Sequence, residues 1–283
     1  MLLRTQSPDT RPEAEQVLIG LIRKAPITKR FGFLRSWSYT TLSMKKQSIR
    51  EMYPDISEEE AAILFVTHHY GQGLAKGLRR QLQKKTSKIF DTYDLLAAMT
   101  PVIETFEQLS INYHLEGAVA TAIYGMQQAT LDIDLVANLD MTHVRPLLKR
   151  LEQEYHIEEE AVQDAIARHA AFNSIHLPSM VRINISLPKP RLFDLEVQRR
   201  VQSHILVENT FPFYVASAED IILTQLESYK GGGEVADDQW NSILGILKVQ
   251  ATALDFIYLE QWAKALGVAE LLERSITEAK LNR

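Results

Sequence analysis

Apolar residues recur with a helical period along the first third of the chain. In Pro12–Lys24, Val17, Leu18, Leu21 and Ile22 fall at i, i+1, i+4 and i+5, the stripe of an amphipathic helix. Beyond Pro26, residues 28–52 put Phe31, Leu34, Trp37 or Ser38, Leu42 and Ile49 on one side. Tyr53-Pro54-Asp55 breaks that run. Ser57 followed three residues later by Glu60 makes a capping box, which starts a third helix ending near Tyr70. Residues 71–85 carry Leu74, Leu78 and Leu82 on one face, with Lys76, Arg79 and Arg80 around it. The polar run 84–88 marks a boundary, so residues 1–87 read as a basic all-helical module.

The middle of the chain mixes periods. Asp91 caps a helix, Thr100-Pro101 restarts it, and residues 111–115 form a first strand. A turn at Gly117 and a short small-residue helix lead to a second strand containing Asp132 and Asp134. Residues 141–155 and 157–169 read as helices, 174–177 and 181–187 as antiparallel strands, and 201–207 as a fifth strand. Strands interleaved with helices argue an α/β unit with a mixed sheet, here spanning 88–213. From Ser217, a cap, the pattern is helical again over 218–229, 237–248, 254–266 and 268–279, an all-helical part covering 214–283.

A hydrophobic content of 46% supports an ordinary core, and the absence of cysteine excludes disulfides, thiolate metal sites and a Cys nucleophile. No apolar run reaches the roughly 20 residues of a membrane span, and no signal-peptide core is seen, so a cytoplasmic protein is expected. Charge is unevenly spread. Residues 1–88 hold 16 Lys and Arg against 8 Asp and Glu, a net of +8, while the remaining 15 basic and 28 acidic residues give −13. A basic segment on an acidic body suits a polyanion such as RNA, with Arg79 and Arg80 leading, or it suits attraction between the two parts. His68 and His69 are adjacent and would point about 100° apart on a helix, which is no chelating pair.

The chemistry concentrates in residues 115–138, LEGAVATAIYGMQQATLDIDLVAN. Asp132 and Asp134, at i and i+2 on a strand, share a face with Cα atoms roughly 6.6 Å apart. Two such acids repel unless a cation lies between them, and a hard oxygen-liganded ion such as Mg2+ suits them. Backbone N–H groups opening the preceding helix suit a phosphate. Together these features outline a nucleotide site.

At these residues the chain resembles the nucleotidyltransferase superfamily, in particular its AbiEii-like, abortive-infection toxin-like bacterial branch. The family pattern is a Gly-Gly or Gly-Ser turn, a short helix, R-x-T and then D-x-D. Gly117-Ala118, Gln128-Ala129-Thr130 and Asp132-Ile133-Asp134 stand at these places, and the likeness extends from Lys88 to the C-terminus. The resemblance implies NTP bound with Mg2+ on Asp132 and Asp134. It also implies transfer of a nucleoside monophosphate to an RNA, such as tRNA, or to a protein hydroxyl, and an antitoxin-like partner. Gly117, Ala118, Gln128, Thr130 and Lys230 would face the nucleotide.

The sequence also departs from that pattern. The family's third acid lies in a K-V-D-V strand, where this chain has Arg182-Ile183-Asn184-Ile185. An amide oxygen can ligate a cation, but it takes no proton near neutral pH. Gln128, Gln225 and Ser242 stand where the pattern has arginine, lysine and aspartate. The alternative to an enzyme is therefore a catalytically degenerate fold that binds nucleotide or regulates a partner. Asp194 and Glu196 are substitute acids if they lie on a neighbouring strand. Trp37, Trp240 and Trp262 read as core.

Overall fold

The computed structural model describes residues 5, 9–82, 89–91, 94–204 and 212–281, with backbone alone for 202–204. The boundary run 84–88 and the end of the expected fifth strand lie outside the described residues. The first four helices stand where periodicity puts them: α1 (Pro12–Lys24), α2 (Ile27–Met52), α3 (Glu58–Tyr70) and α4 (Gln72–Leu82). Ser57 Oγ accepts from the Glu60 N–H at 3.2 Å, the predicted cap of α3.

Helix α5 (Leu95–Gln108) differs from expectation, because it is capped by Asp94 and runs unbroken through Pro101. Buried Ala98 and Met99 before the proline and Val102 and Ile103 after it anchor both sides against the core, so packing outweighs the one backbone bond that proline removes. The expected helix 141–155 is likewise shorter, α7 (Val144–Leu151), and its tail becomes strand β3 (Tyr155–Ile157). Tyr155 is fully buried there, and its hydroxyl donates to the Ala98 carbonyl at 2.8 Å. Helix α8 (Glu159–Arg168) follows.

Among the described residues the sheet has seven strands in the order β3-β4-β5-β2-β1-β7-β6. The remaining strands are β1 (Tyr113–Glu116), β2 (Asp132–Ala137), β4 (Ala171–His176), β5 (Arg182–Ser186), β6 (Gln202–His204) and β7 (Phe213–Val215). β2 runs antiparallel to β1 and parallel to β5, and β4 is antiparallel to β5, so the sheet is mixed. Leu115, Ile133, Leu135, Ile183 and Ile185 are buried on one face of the three central strands. The alternate positions Glu116, Asp132, Asp134, Arg182, Asn184 and Ser186 form a polar, half-buried face.

Helix α6 (Gly117–Tyr124) links β1 to β2, packs on both, and contacts α2, α10 (Ala218–Gly231) and α11 (Asp237–Gln250). Helices α12 (Phe256–Ala265) and α13 (Ala269–Ala279) complete the C-terminal part. Buried residues from Phe31 to Ala279 form one continuous core. The N-terminal helices thus share apolar packing with the sheet, and a buried Glu15–Lys248 ion pair of 3.0 Å joins α1 to α11. Trp240 is fully buried and Trp262 packs on the core, whereas Trp37 is 49% exposed, contrary to the core reading. Its position on α2 faces outward because Leu34 and Ser38 take the inward side of the stripe.

Candidate functional site

Strand register builds the site. Asp134 on β2 lies opposite Glu116 on β1 and opposite Asn184 on β5, so the three side chains form one row across three strands. One row along, Asp132 is opposite Arg182, and Val136 is opposite Ser186. β1 ends at Glu116, and the chain turns at once into α6 through Gly117, whose φ of +59° lies in the left-handed region. A Cβ on Gly117 would sit 2.0 Å from Asp134 Oδ2. The glycine therefore serves both the turn and the close seating of the Asp134 carboxylate against the start of α6.

The two acids meet different surroundings. Asp132 Oδ2 accepts from Arg182 Nη2 at 2.8 Å, and the guanidinium lies 5.0 Å from the Tyr70 ring centre. That pair is incompletely satisfied: Asp132 Oδ1 and Arg182 Nε are shut from solvent without a hydrogen-bond partner. Asp134 Oδ1 accepts from the Asn184 amide nitrogen at 3.1 Å. Burial raises the Asp134 carboxyl above the ordinary aspartate range; the Asn184 bond opposes this, Asp132 adds to it, Arg182 opposes it, and Glu116 adds to it.

A cavity of ≈ 310 Å³ lies over Asp134 and Asn184, bounded by Gly117, Ala118, Gln128 and helices α10 and α11. Gln225 and Ser242, the two departures in the C-terminal part, both line it. Gln225 Nε2 donates to Thr121 Oγ1 at 2.7 Å, and Ser242 Oγ lies 3.4 Å from Gln128 Oε1. Neutral polar groups thus line this side of the cavity.

Two expected nucleotide contacts are placed elsewhere. Lys230 Nζ donates to the Gly267 carbonyl at 2.6 Å on the outer surface, since the last turn of α10 carries it toward the α12–α13 connection. Thr130 Oγ1 is taken up by the backbone of Asp132, as acceptor at 3.1 Å and donor at 3.0 Å, which holds the entry to β2. Asp194 and Glu196 lie on a helix, α9 (Leu192–Arg200), rather than on a strand beside the pair. Asp194 is bound to Arg191 there. Glu116, outside the sequence motif, also lines the cavity, and its neighbour His114 has Nε2 3.2 Å from Glu116 Oε1. Their alternation with Tyr113 and Leu115 was visible, but the register that sets Glu116 beside Asp134 was not.

Among the described residues, no cluster of three or more His, Asp or Glu side chains is arranged to hold a metal ion. Mg2+ needs less than that, since it retains waters and takes one or two carboxylates together with substrate phosphates. Asp134, which lines the cavity, suits such a donor set, whereas Asp132 lies outside that lining, its Oδ2 held by Arg182 and its Oδ1 shut from solvent, so it would reach a metal only by releasing the guanidinium.

No family model matches the sequence, and no curated protein matches it. Solved structures to which the chain is similar include ANT(2")-Ia in complex with adenylyl-2"-tobramycin, at 14% identity and TM-score 0.43, over 61% of this chain and 96% of that one. The antibiotic-resistance factor ANT(2'')-Ia in solution aligns at 13% identity and TM-score 0.41, over 63% and 94%. An antigenic nucleotidyltransferase-like protein from Paracoccidioides brasiliensis aligns at 15% identity and TM-score 0.38, over 62% and 91%.

Proposed function

We propose that the chain is a nucleotidyltransferase that binds an NTP over the polar face of β1, β2 and β5 and transfers a nucleoside monophosphate to a hydroxyl on RNA or protein. The observation that carries this reading is the seating of Asp134 against Gly117 at the β1–α6 turn, on the floor of the cavity. Strand, glycine turn, helix and paired acids follow in the order of the nucleotidyltransferase pattern that the sequence resembles. Asp132 and Asp134 would hold Mg2+, which supplies positive charge to the triphosphate and to the leaving pyrophosphate. Gly117 and Ala118 offer backbone N–H groups at the start of α6, and Gln128, Gln225 and Ser242 offer neutral hydrogen bonds around the nucleotide.

A second reading, binding without turnover, is favoured by the Arg182–Asp132 pair and by the amide at Asn184. One set of measurements separates the two. The purified chain is incubated with MgCl2, each α-labelled NTP, and total RNA or a protein lysate. The enzyme reading expects label transfer that vanishes in Asp134→Ala. The binding reading expects calorimetric heats with NTP and Mg2+, no transfer, and transfer gained in Asn184→Asp.

A further inference from the structure

Asn184 stands beside Asp134 on β5, at the place where the pattern that the sequence resembles has its third acid. Glu116 stands beside Asp134 on the opposite side, on β1, in the same register row and on the same face of the sheet. Directly opposed residues of an antiparallel pair hold their Cβ atoms about 4.5–5.5 Å apart, so the two carboxylates share one patch of the cavity floor. Glu116 also lines a second cavity of ≈ 660 Å³, which is bounded by residues 186–194, by α9 and by α10. It therefore stands where the two cavities meet.

The charged groups of the second cavity are mostly committed to one another. Arg191 Nη1 and Nη2 donate to Glu227 at 2.6 and 2.8 Å, and Arg191 Nε is bound to Asp194. Asp194 Oδ1 also accepts from the Lys189 backbone N–H at 3.3 Å. Glu116 differs from these acids, because its side-chain partner is an imidazole: His114 Nε2 lies 3.2 Å from Oε1, and the His114 side chain is 4% exposed. A buried histidine fixes the direction of the carboxylate without supplying the permanent charge of a guanidinium.

We infer that Glu116 is the general base of this site and takes over on β1 the role that Asn184 cannot perform on β5. An acceptor hydroxyl in the second cavity attacks the α-phosphorus of an NTP in the first. Its oxygen forms the new bond to phosphorus while the bond from phosphorus to the bridging oxygen of the β-phosphate breaks. Pyrophosphate leaves with that electron pair, and the hydroxyl proton passes to the Glu116 carboxylate. His114 is a positioning residue that holds the carboxylate at the mouth between the cavities. The inference rests on the transfer reading above.

The test uses the full chain with MgCl2, a mixture of four α-labelled NTPs, and total RNA or lysate protein. Glu116→Gln preserves shape and is expected to lower kcat by at least about 100-fold, the usual scale for loss of a general base. KM and the calorimetric Kd for NTP with Mg2+ should stay within about threefold. Glu116→Asp, with the carboxylate drawn back, should retain an intermediate rate. Wild-type transfer with Glu116→Gln within threefold of it overturns this inference and leaves the transfer reading intact. An equal fall in NTP binding and rate also overturns it, since that marks a binding role. Absence of transfer by the wild-type chain, with every NTP and both acceptor pools, overturns both.

Discussion

Asp132 and Asp134 share one face of one strand, two residues apart, and their charges are met in different ways. At the outer end Asp132 takes a guanidinium from β5, in a pair whose side chains are 32% and 28% exposed. At the inner end Asp134 has an amide from the same strand, together with burial that disfavours its charge. The difference comes from the alternation of β5, which places Arg182 and Asn184 two residues apart in register with the acids. A D-x-D pair therefore need not act as a symmetric metal clamp. Here one acid has an ion-pair partner, and the other has only an amide beside it.

The largest expected effect comes from breaking the inner end sterically. Gly117→Ala would force a Cβ to within 2.0 Å of Asp134 Oδ2 at a residue with φ +59°. Left-handed backbone and overpacking together suggest a loss of about 2–4 kcal/mol. Urea unfolding should report it, along with loss of NTP binding. A Gly117→Ala protein of wild-type stability would show that Asp134 is not seated against the turn.

Much of this arrangement was legible in the sequence because local rules carried it. The helix caps at Ser57 and Ser217, the stripe of α2 and the glycine turn before the paired acids each depend on residues close in sequence. What stayed hidden depends on long-range packing. Tyr155 leaves a helical pattern to pair with β4, Pro101 is held inside α5 by buried neighbours, and β7 is only three residues long. In the site, Gln128, Gln225 and Ser242 line one cavity, while Lys230 points away because a turn of helix decides where a lysine at its end can reach. Glu116 was in plain view beside Gly117, yet its meaning depended on register.

A smaller effect is expected at the outer end. Arg182→Met keeps the stem against Tyr70 and removes the charge, leaving Asp132 without its ion-pair partner. The pair is part-exposed and singly bonded, so the expected loss lies between the surface and buried limits, about 1–2 kcal/mol in urea unfolding. The same change should strengthen Mn2+ binding, read by electron paramagnetic resonance, by about tenfold, equivalent to about 1.4 kcal/mol. Unchanged Mn2+ affinity would mean that the guanidinium does not compete with a metal for Asp132, and that the asymmetry between the ends has no consequence for cations.

The smallest effect gives the sharpest contrast, because its sign should reverse between the ends. Asp132→Asn strands the Arg182 guanidinium and should destabilise. Asp134→Asn removes a charge that burial already disfavours, while its side-chain oxygen can still accept from Asn184, so it should stabilise by at most about 1 kcal/mol near neutral pH. The pH dependence fixes the cause. A carboxyl whose folded pKa is raised holds its proton more tightly in the folded state, so stability falls as pH climbs from the ordinary aspartate value of about 3.9 through the raised one. Subtracting the Asp134→Asn curve from wild type should isolate that falling limb, since other buried acids such as Asp220 are common to both proteins. A difference that stays flat across the window, or an Asp134→Asn protein destabilised as much as Asp132→Asn, would mean that the two acids feel the same field.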